Sequence, residues 1–289
     1  MGKRTKNKNG ENIKIAAGVI GLFILFAAAS AAFYVNRDAI YAILRGGAKQ
    51  NGAAQKTPRQ SQSPGVSGAS DPFGPFDPFE PFEPFEFLDS FGNTVFLGDS
   101  IVSGIEFCKD SAVVGGEKVL KEAEVVAAVG YSLKNAVSDI SGNAVNLTYE
   151  GKPMRPEDIV ARLDKKHVFI CLGLNDLSGM SVDEYIENYG RLVENIRAKS
   201  PEKSIAILSV TPLVAGQRGG LMTNRVISEA NGRLREFAYD NDMYFFDWAS
   251  AIRDENGALY GGLSSDGYCH LKAEAYGRLA EYLAGSIIG

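Results

Sequence analysis

A serine, a histidine and an aspartate in this sequence are placed so that they could act as nucleophile, base and orienting acid. Ser100 follows an apolar run that ends at Gly98-Asp99 and stands where a helix could begin. His270 is one of two histidines in 289 residues, and Asp266 precedes it by four positions. In such a set the imidazole takes the hydroxyl proton, and the carboxylate fixes the ring tautomer. The residues therefore predict Ser100, Asp266 and His270 as the catalytic set.

Attack of a serine on an ester carbonyl also needs donors for the oxyanion that forms. The backbone N–H groups of Ser100 and Gly130 and the side-chain amide of Asn175 could supply them. An asparagine amide suits this role because it donates hydrogen bonds while it stays neutral. The predicted oxyanion hole is therefore Ser100, Gly130 and Asn175.

The elements that must position these residues are predicted from alternating apolar runs and helical patterns after Phe87. Five runs predict strands: Thr94–Leu97, Ala123–Ala128, Val168–Leu172, Ser204–Val210 and Tyr244–Phe246. The intervening helical patterns include Leu133–Ile140 and a closing helix, Lys272–Ile287. This alternation predicts a single α/β domain over 87–289, with a five-stranded parallel sheet covered by helices on both faces.

In such sheets, sites form beyond the carboxyl ends of the strands. Ser100, Gly130 and Asn175 follow the first, second and third predicted strands, so they share one edge. His167 precedes the third strand and is expected at the opposite edge. His270 lies between the last strand and the final helix and can reach the edge that carries Ser100.

Four blocks of the sequence occur in a recognisable order. They are Gly98-Asp99-Ser100, Gly130 within Val129-Gly130-Tyr131, Gly173-Leu174-Asn175-Asp176, and Asp266-Gly-Tyr-Cys-His270. From Phe87 onward the chain resembles the SGNH hydrolases, also called GDSL-type esterases. The resemblance implies a flavodoxin-like three-layer α/β/α fold and ester hydrolysis through an acyl-serine, without a metal or organic cofactor. It implies that the blocks supply nucleophile, oxyanion donor, oxyanion donor, and acid plus base. The segment Tyr149–Met154 resembles that of bacterial members attached to the cell surface.

The last block departs from the family pattern, which is spaced Asp-x-x-His. Either the turn carries one extra residue and Asp266 still reaches His270, or a backbone carbonyl orients the imidazole instead. We favour the first alternative, because Asp266-Gly267 is a turn sequence that can absorb an insertion.

Several other residues that could do chemistry are expected to be structural. Asp99 and Asp176 can hold turns through backbone hydrogen bonds. Three cysteines, Cys108, Cys171 and Cys269, show no metal or redox spacing and are expected to be buried thiols. Two histidines make a histidine-rich metal site improbable, and a net charge of -5 argues against nucleic-acid binding.

The N-terminal part has a different composition. A basic stretch, 1–14, precedes an uncharged run, 15–36, which has the length of a transmembrane helix. The alternative is a signal peptide cleaved near Ala29-Ser30-Ala31. We favour the anchor, and both alternatives place the rest of the chain outside the cytoplasm.

The stretch 37–86 is expected to be a flexible, disordered linker, because 45–68 is rich in Gly, Gln, Ser, Ala and Pro and has few large apolar residues. Its last part repeats Pro-Phe, with proline at every third position from Pro72 to Pro84. This spacing matches polyproline II, so the strip is either a stiff spacer or a contact for a protein or the cell wall.

Taken together, the sequence predicts a membrane-anchored, extracytoplasmic serine esterase. It would remove short acyl groups, such as acetyl, from a small ester or from a carbohydrate of the cell wall. One alternative is an O-acyltransferase that passes the acyl group to a glycan. Another is a catalytically silent module that binds a glycan or a partner, and its support is the altered Asp266–His270 spacing.

Overall fold

The described part of the chain, residues 91–287 of a computed structural model, contains a five-stranded parallel sheet. We number all strands in chain order. The sheet consists of β1 (Thr94–Gly98), β4 (Glu124–Ala127), β7 (His167–Cys171), β8 (Ser204–Leu208) and β9 (Tyr244–Phe246). Its spatial order is β4-β1-β7-β8-β9. This is the 2-1-3-4-5 order of doubly wound folds, and its switch point lies between β1 and β7.

The central strands of the sheet are buried along their whole length. Every residue of β1 and of β7 is buried, as expected for parallel strands covered on both faces. Phe96 and Phe169, on these adjacent strands, meet edge to face with ring centroids 5.4 Å apart. The predicted five-stranded parallel sheet is confirmed, with strand ends that differ from the predicted ones by at most two residues.

Six α-helices accompany the sheet in the described residues. They are α1 (Ser100–Cys108), α2 (Leu133–Ala136), α3 (Pro156–Arg162), α4 (Val182–Lys199), α5 (Asn224–Asp240) and α6 (Ala273–Ile287). The helices α2, α3 and α5 contact α4, whereas α1 contacts α6. The two groups of helices flank the sheet as the α/β prediction requires.

Two antiparallel hairpins were not predicted. The first pairs β2 (Val113–Val114) with β3 (Glu117–Lys118), and the second pairs β5 (Leu147–Tyr149) with β6 (Lys152–Met154). In the second hairpin, Glu150 and Gly151 both have positive φ, 49° and 75°. Positive φ at both central residues is the requirement of a type I′ turn, one of the two common two-residue hairpin turns.

The predicted helix Leu133–Ile140 is too long. The helix α2 ends at Ala136, and the side chain of Ile140 is exposed. The carbonyls of Val137 and Ser138 accept hydrogen bonds from the guanidinium groups of Arg191 and Arg155 instead of continuing the helical series.

The predicted basic N-terminus (1–14), anchor (15–36) and linker (37–86) lie outside the described residues and stay predictions. Between residues 91 and 287, none of the helices combines the length and the apolar character needed to cross a bilayer.

Candidate active site

The turn between β1 and α1 presents Ser100 at the carboxyl edge of the sheet. Asp99, which is buried, caps the helix because its Oδ1 accepts a hydrogen bond of 2.9 Å from the N–H of Ile101. Gly98 is required by close packing, since a Cβ there would lie 2.4 Å from the carbonyl oxygen of Cys171. Ser100 is half-buried, and as the first residue of α1 its N–H has no intrahelical acceptor.

The structure brings His270 to Ser100 across 170 positions of the sequence. The distance from His270 Nε2 to Ser100 Oγ is 3.1 Å. The other histidine, His167, begins β7 at the opposite edge, where its Nδ1 lies 2.6 Å from Ser204 Oγ. The predicted placement of both histidines is therefore confirmed.

Asp266 reaches His270 despite the extra residue between them. Its Oδ2 lies 2.6 Å from His270 Nδ1. A carboxylate can only accept, so Nδ1 carries the proton and Nε2 is left to accept from the Ser100 hydroxyl. The first alternative for the altered spacing is thus the one that the structure shows.

A compact turn absorbs the inserted residue. Gly267 adopts a φ of +72°. The other carboxylate oxygen of Asp266, Oδ1, accepts hydrogen bonds from four donors of the turn. These donors are the N–H groups of Tyr268 (2.8 Å), Cys269 (3.0 Å) and His270 (3.2 Å) and the hydroxyl of Ser264 (3.1 Å). Partial burial raises the pKa of Asp266, but the hydrogen bonds from Tyr268 and His270 outweigh it and lower the pKa to about 2. The carboxylate of Asp266 is therefore ionised under the conditions in which His270 would act as a base.

Gly130 and Asn175 lie on the two sides of Ser100. Gly98 of β1 pairs in register with Ala127 of β4 and with Cys171 of β7, so the three strands end at the same level. Asn175 Nδ2 donates to the carbonyl of Tyr131 at 2.9 Å. This bond uses one of the two amide hydrogens, which leaves the other for a substrate oxygen.

The comparisons with known proteins agree with this geometry. Residues 96–278 match the GDSL-like lipase/acylhydrolase family. The chain belongs to this family. It is accordingly a serine ester hydrolase, and the resemblance inferred from the four blocks is confirmed. No sequence among curated proteins matches the chain.

Solved structures match the fold of this hydrolase at low identity. A GDSL-like lipase from Bacteroides thetaiotaomicron is 18% identical, with a TM-score of 0.50 over 68% of this chain and 88% of the other. A protein from Streptococcus pneumonia, assigned as a platelet activating factor, is 20% identical, with a TM-score of 0.52 over 70% and 86%. A protein from Bacteroides fragilis, assigned as an acylhydrolase, is 19% identical, with a TM-score of 0.50 over 67% and 85%.

Two buried carboxyl groups adjoin the site of the hydrolase. Burial raises the pKa of Asp99 to about 7 and that of Asp176 to about 6, against the lowering effect of backbone hydrogen bonds. Asp99 holds the Ser100 turn, as predicted. Asp176 accepts from the N–H groups of Leu133 (3.0 Å) and Lys134 (3.2 Å), which agrees with its predicted structural role.

A loop that sequence reasoning missed connects the two sides of the site. It runs over residues 214–222, and Val214 N donates to the carbonyl of Tyr268 at 2.8 Å. At its other end, Leu221 N donates to the carbonyl of Ser178 at 2.9 Å, and the Leu221 side chain is 63% exposed. The glycines at 216, 219 and 220 indicated a turn-rich loop, but nothing in the sequence showed where it would pack.

One group of metal-ligating side chains occurs in residues 91–287, and it overlaps the histidine turn. Ligand atoms of Asp266, Cys269 and His270 lie within 4.8 Å of one another. The fit to a metal is poor, because Asp266 Oδ2 and His270 Nδ1 already bond to each other. Burial also raises the pKa of Cys269 to about 12, which disfavours the thiolate. Cys108, Cys171 and Cys269 are all buried, free thiols, as predicted.

Proposed function

We propose that this chain hydrolyses short-chain acyl esters, with acetyl as the preferred group, through an acyl-enzyme on Ser100. The observation that carries the proposal is the connected series Ser100 Oγ–His270 Nε2 (3.1 Å) and His270 Nδ1–Asp266 Oδ2 (2.6 Å). A serine is activated when its hydroxyl is hydrogen-bonded to a base and that base is hydrogen-bonded to an orienting acid.

The chemistry proceeds in two displacements. His270 Nε2 takes the Ser100 proton as Oγ bonds to the carbonyl carbon, and the oxyanion is bound by the N–H groups of Ser100 and Gly130 and by Asn175 Nδ2. The imidazolium then gives its proton to the leaving alcohol as the ester C–O bond breaks. Water, deprotonated by His270, attacks the acyl-serine, and the carboxylic acid leaves as Ser100 regains its proton.

The preference for a short acyl group is supported by how open the site is. Ser100 and Gly130 are only half-buried, Asn175 is exposed, and the side chain of His270 is 38% exposed. Burying one methylene is worth about 0.8 kcal/mol, and a long chain at an exposed site gains little of it. An acetyl group needs no such burial.

The proposed alcohol component is a carbohydrate hydroxyl outside the cytoplasm. The support is the open site, which leaves room for a bulky polar alcohol, together with the predicted membrane anchor at 15–36. In this proposal the chain is held at the membrane, and the linker 37–86 lets the hydrolase domain reach acylated glycan of the cell wall.

The test is a kinetic panel of p-nitrophenyl esters from acetate to decanoate on the full chain. We expect kcat/KM to be highest for acetate and to fall as the chain lengthens. Ser100→Ala should reduce turnover at least about 10³-fold. Ser103→Ala is the matched control, because Ser103 lies on the same helix and donates only to the Asp99 carbonyl.

Two outcomes would contradict the proposal. If Ser100→Ala and Ser103→Ala were equally active, Ser100 would not be the nucleophile. If decanoate were the best substrate, the short-acyl preference would be wrong. Acetylated glycan with a second glycan as acceptor tests the transferase alternative, which predicts a new glycan ester instead of free acetate.

A further inference from the structure

The two outer donors of the proposed oxyanion hole come from strands that do not touch. Gly130 follows β4 and Asn175 follows β7, and β1 lies between these strands in the sheet. Their N–H groups must nevertheless converge on one oxygen atom. Pairing within the sheet fixes where the strands end, but it does not fix the loops beyond them.

Three hydrogen bonds join these two loops directly. Asn175 Nδ2 donates to the carbonyl of Tyr131 at 2.9 Å. The carboxylate of Asp176 accepts from Leu133 N at 3.0 Å with Oδ2 and from Lys134 N at 3.2 Å with Oδ1. The partners are separated by 42 to 44 positions, so the bonds form only in the folded protein. Two of the three depend on one side chain.

Asp176 is well suited to hold the start of α2 in place. It is 4% exposed, so water does not compete for its oxygens. Both oxygens are used by adjacent N–H groups at the start of α2, which have no acceptors of their own within the helix. Ser132, the N-cap of α2, accepts only from Asn135 N and leaves these two groups to Asp176.

We infer that Asp176 is a positioning residue of the oxyanion hole, which holds the Gly130–Lys134 segment against Asn175 so that their donors share one target. This inference rests on the proposed function. It assigns Asp176 a role in the rate of the reaction in addition to a role in folding. The side chain touches no substrate, so it acts through Gly130 and Asn175.

Asp176→Asn is the main test variant. The asparagine can accept with one oxygen, so the segment stays in place but is held by one bond fewer. We expect kcat for p-nitrophenyl acetate to fall about tenfold, a fraction of the loss seen when an oxyanion donor is removed entirely. KM should change less than about twofold, since the lost interaction forms only in the transition state.

A thionoester supplies the readout that a purely structural role would not move. Sulfur accepts hydrogen bonds weakly, so the transition state of p-nitrophenyl thionoacetate is stabilised less by the donors of the oxyanion hole. We expect Asp176→Asn to lower the oxo-to-thiono ratio of kcat severalfold. Ser204→Ala, which removes the contact with His167 Nδ1 at the opposite edge of the sheet, should leave this ratio unchanged.

The outcomes separate this inference from the proposed function. An active wild type with an unchanged ratio in Asp176→Asn would overturn the inference and leave the esterase intact. An inactive wild type would overturn the proposed function itself. If Asp176→Asn does not fold, Asp176→Ser, which keeps one acceptor in a smaller side chain, is expected to lower the ratio and is judged by the same criterion.

Discussion

The two sides of Ser100 are built in different ways. The proposed acid–base side is a single turn, Ser264–His270, in which Asp266 and His270 have side chains 34% and 38% exposed. The proposed oxyanion side joins residues more than 40 positions apart through Asp176, which is buried. One side is held by a local, partly exposed turn, and the other is held by long-range hydrogen bonds to a buried carboxyl group.

This difference explains why the sequence can depart from the family spacing on one side only. A local turn with a glycine at φ of +72° accommodates another residue while its carboxylate stays bonded to the imidazole. The oxyanion side has no such freedom, since its donors are fixed by contacts between separate loops. The altered spacing therefore gives no support to a catalytically silent module.

Asp266→Asn should have the largest effect. The amide oxygen can still accept from the turn N–H groups, but the NH₂ group cannot accept from His270 Nδ1. We expect kcat to fall about 10³- to 10⁴-fold, because the imidazole loses its required tautomer. Thermal denaturation should show a shift of only a few degrees.

Asp254→Asn is the matched control for this variant. Asp254 also holds an exposed turn, by accepting from the N–H groups of Asn256 and Ala258, but no histidine is involved. It should keep full activity. Near-wild-type turnover in Asp266→Asn would remove Asp266 from the catalytic set.

Asn175→Ala tests the opposite side, with a smaller expected loss. Removing one oxyanion donor lowers kcat about 10²-fold with little change in KM. Asn241→Ala serves as control, because its amide also donates to a backbone carbonyl, that of Phe237. A rise in KM with unchanged kcat would show that Asn175 binds the ground state and the transition state equally, and would contradict its role as an oxyanion donor.

Gly130→Ala and Gly267→Ala compare the two sides directly. Both glycines have positive φ, +77° and +72°, and an added Cβ would clash at neither. Each substitution costs about 1 kcal/mol of backbone strain. At Gly130 the strained residue carries the donor, so kcat should fall about fivefold, whereas at Gly267 it should fall less than about twofold. Equal losses would contradict the proposed difference between the sides.

The smallest effects concern the pH dependence of the free energy of unfolding. The pKa of Asp266 is lowered to about 2, so its stabilisation is complete above pH of about 4 and is lost as pH falls. The pKa of Asp176 is raised to about 6, so its ionisation destabilises the fold as pH rises from about 4 to 6.

Urea unfolding between pH 2 and 7 measures both slopes. Asp266→Asn should reduce the change of the free energy of unfolding with pH below about pH 4. Asp176→Asn should reduce the fall of the free energy of unfolding above about pH 4. Asp99, with its pKa raised to about 7, keeps part of that decline in either variant. Slopes of the same sign for the two aspartates would contradict the assigned pKa shifts.

The sequence was sufficient to predict the residues at strand ends, because position along a parallel sheet fixes the edge. This is how Ser100, Gly130, Asn175 and His270 were selected and His167 was set aside. It was insufficient where distant segments meet. The bond from Asn175 to the Tyr131 carbonyl, the early end of α2 and the packing of loop 214–222 all depend on such contacts.

Mass spectrometry of the full chain after reaction with a fluorophosphonate tests the central claim most directly. The serine Oγ must attack phosphorus with the help of His270, so the account predicts an adduct on Ser100 alone. The adduct should be absent from Ser100→Ala and should form far more slowly in His270→Ala. Continued ester hydrolysis by a protein that carries no adduct, or carries it on another residue, would contradict the account.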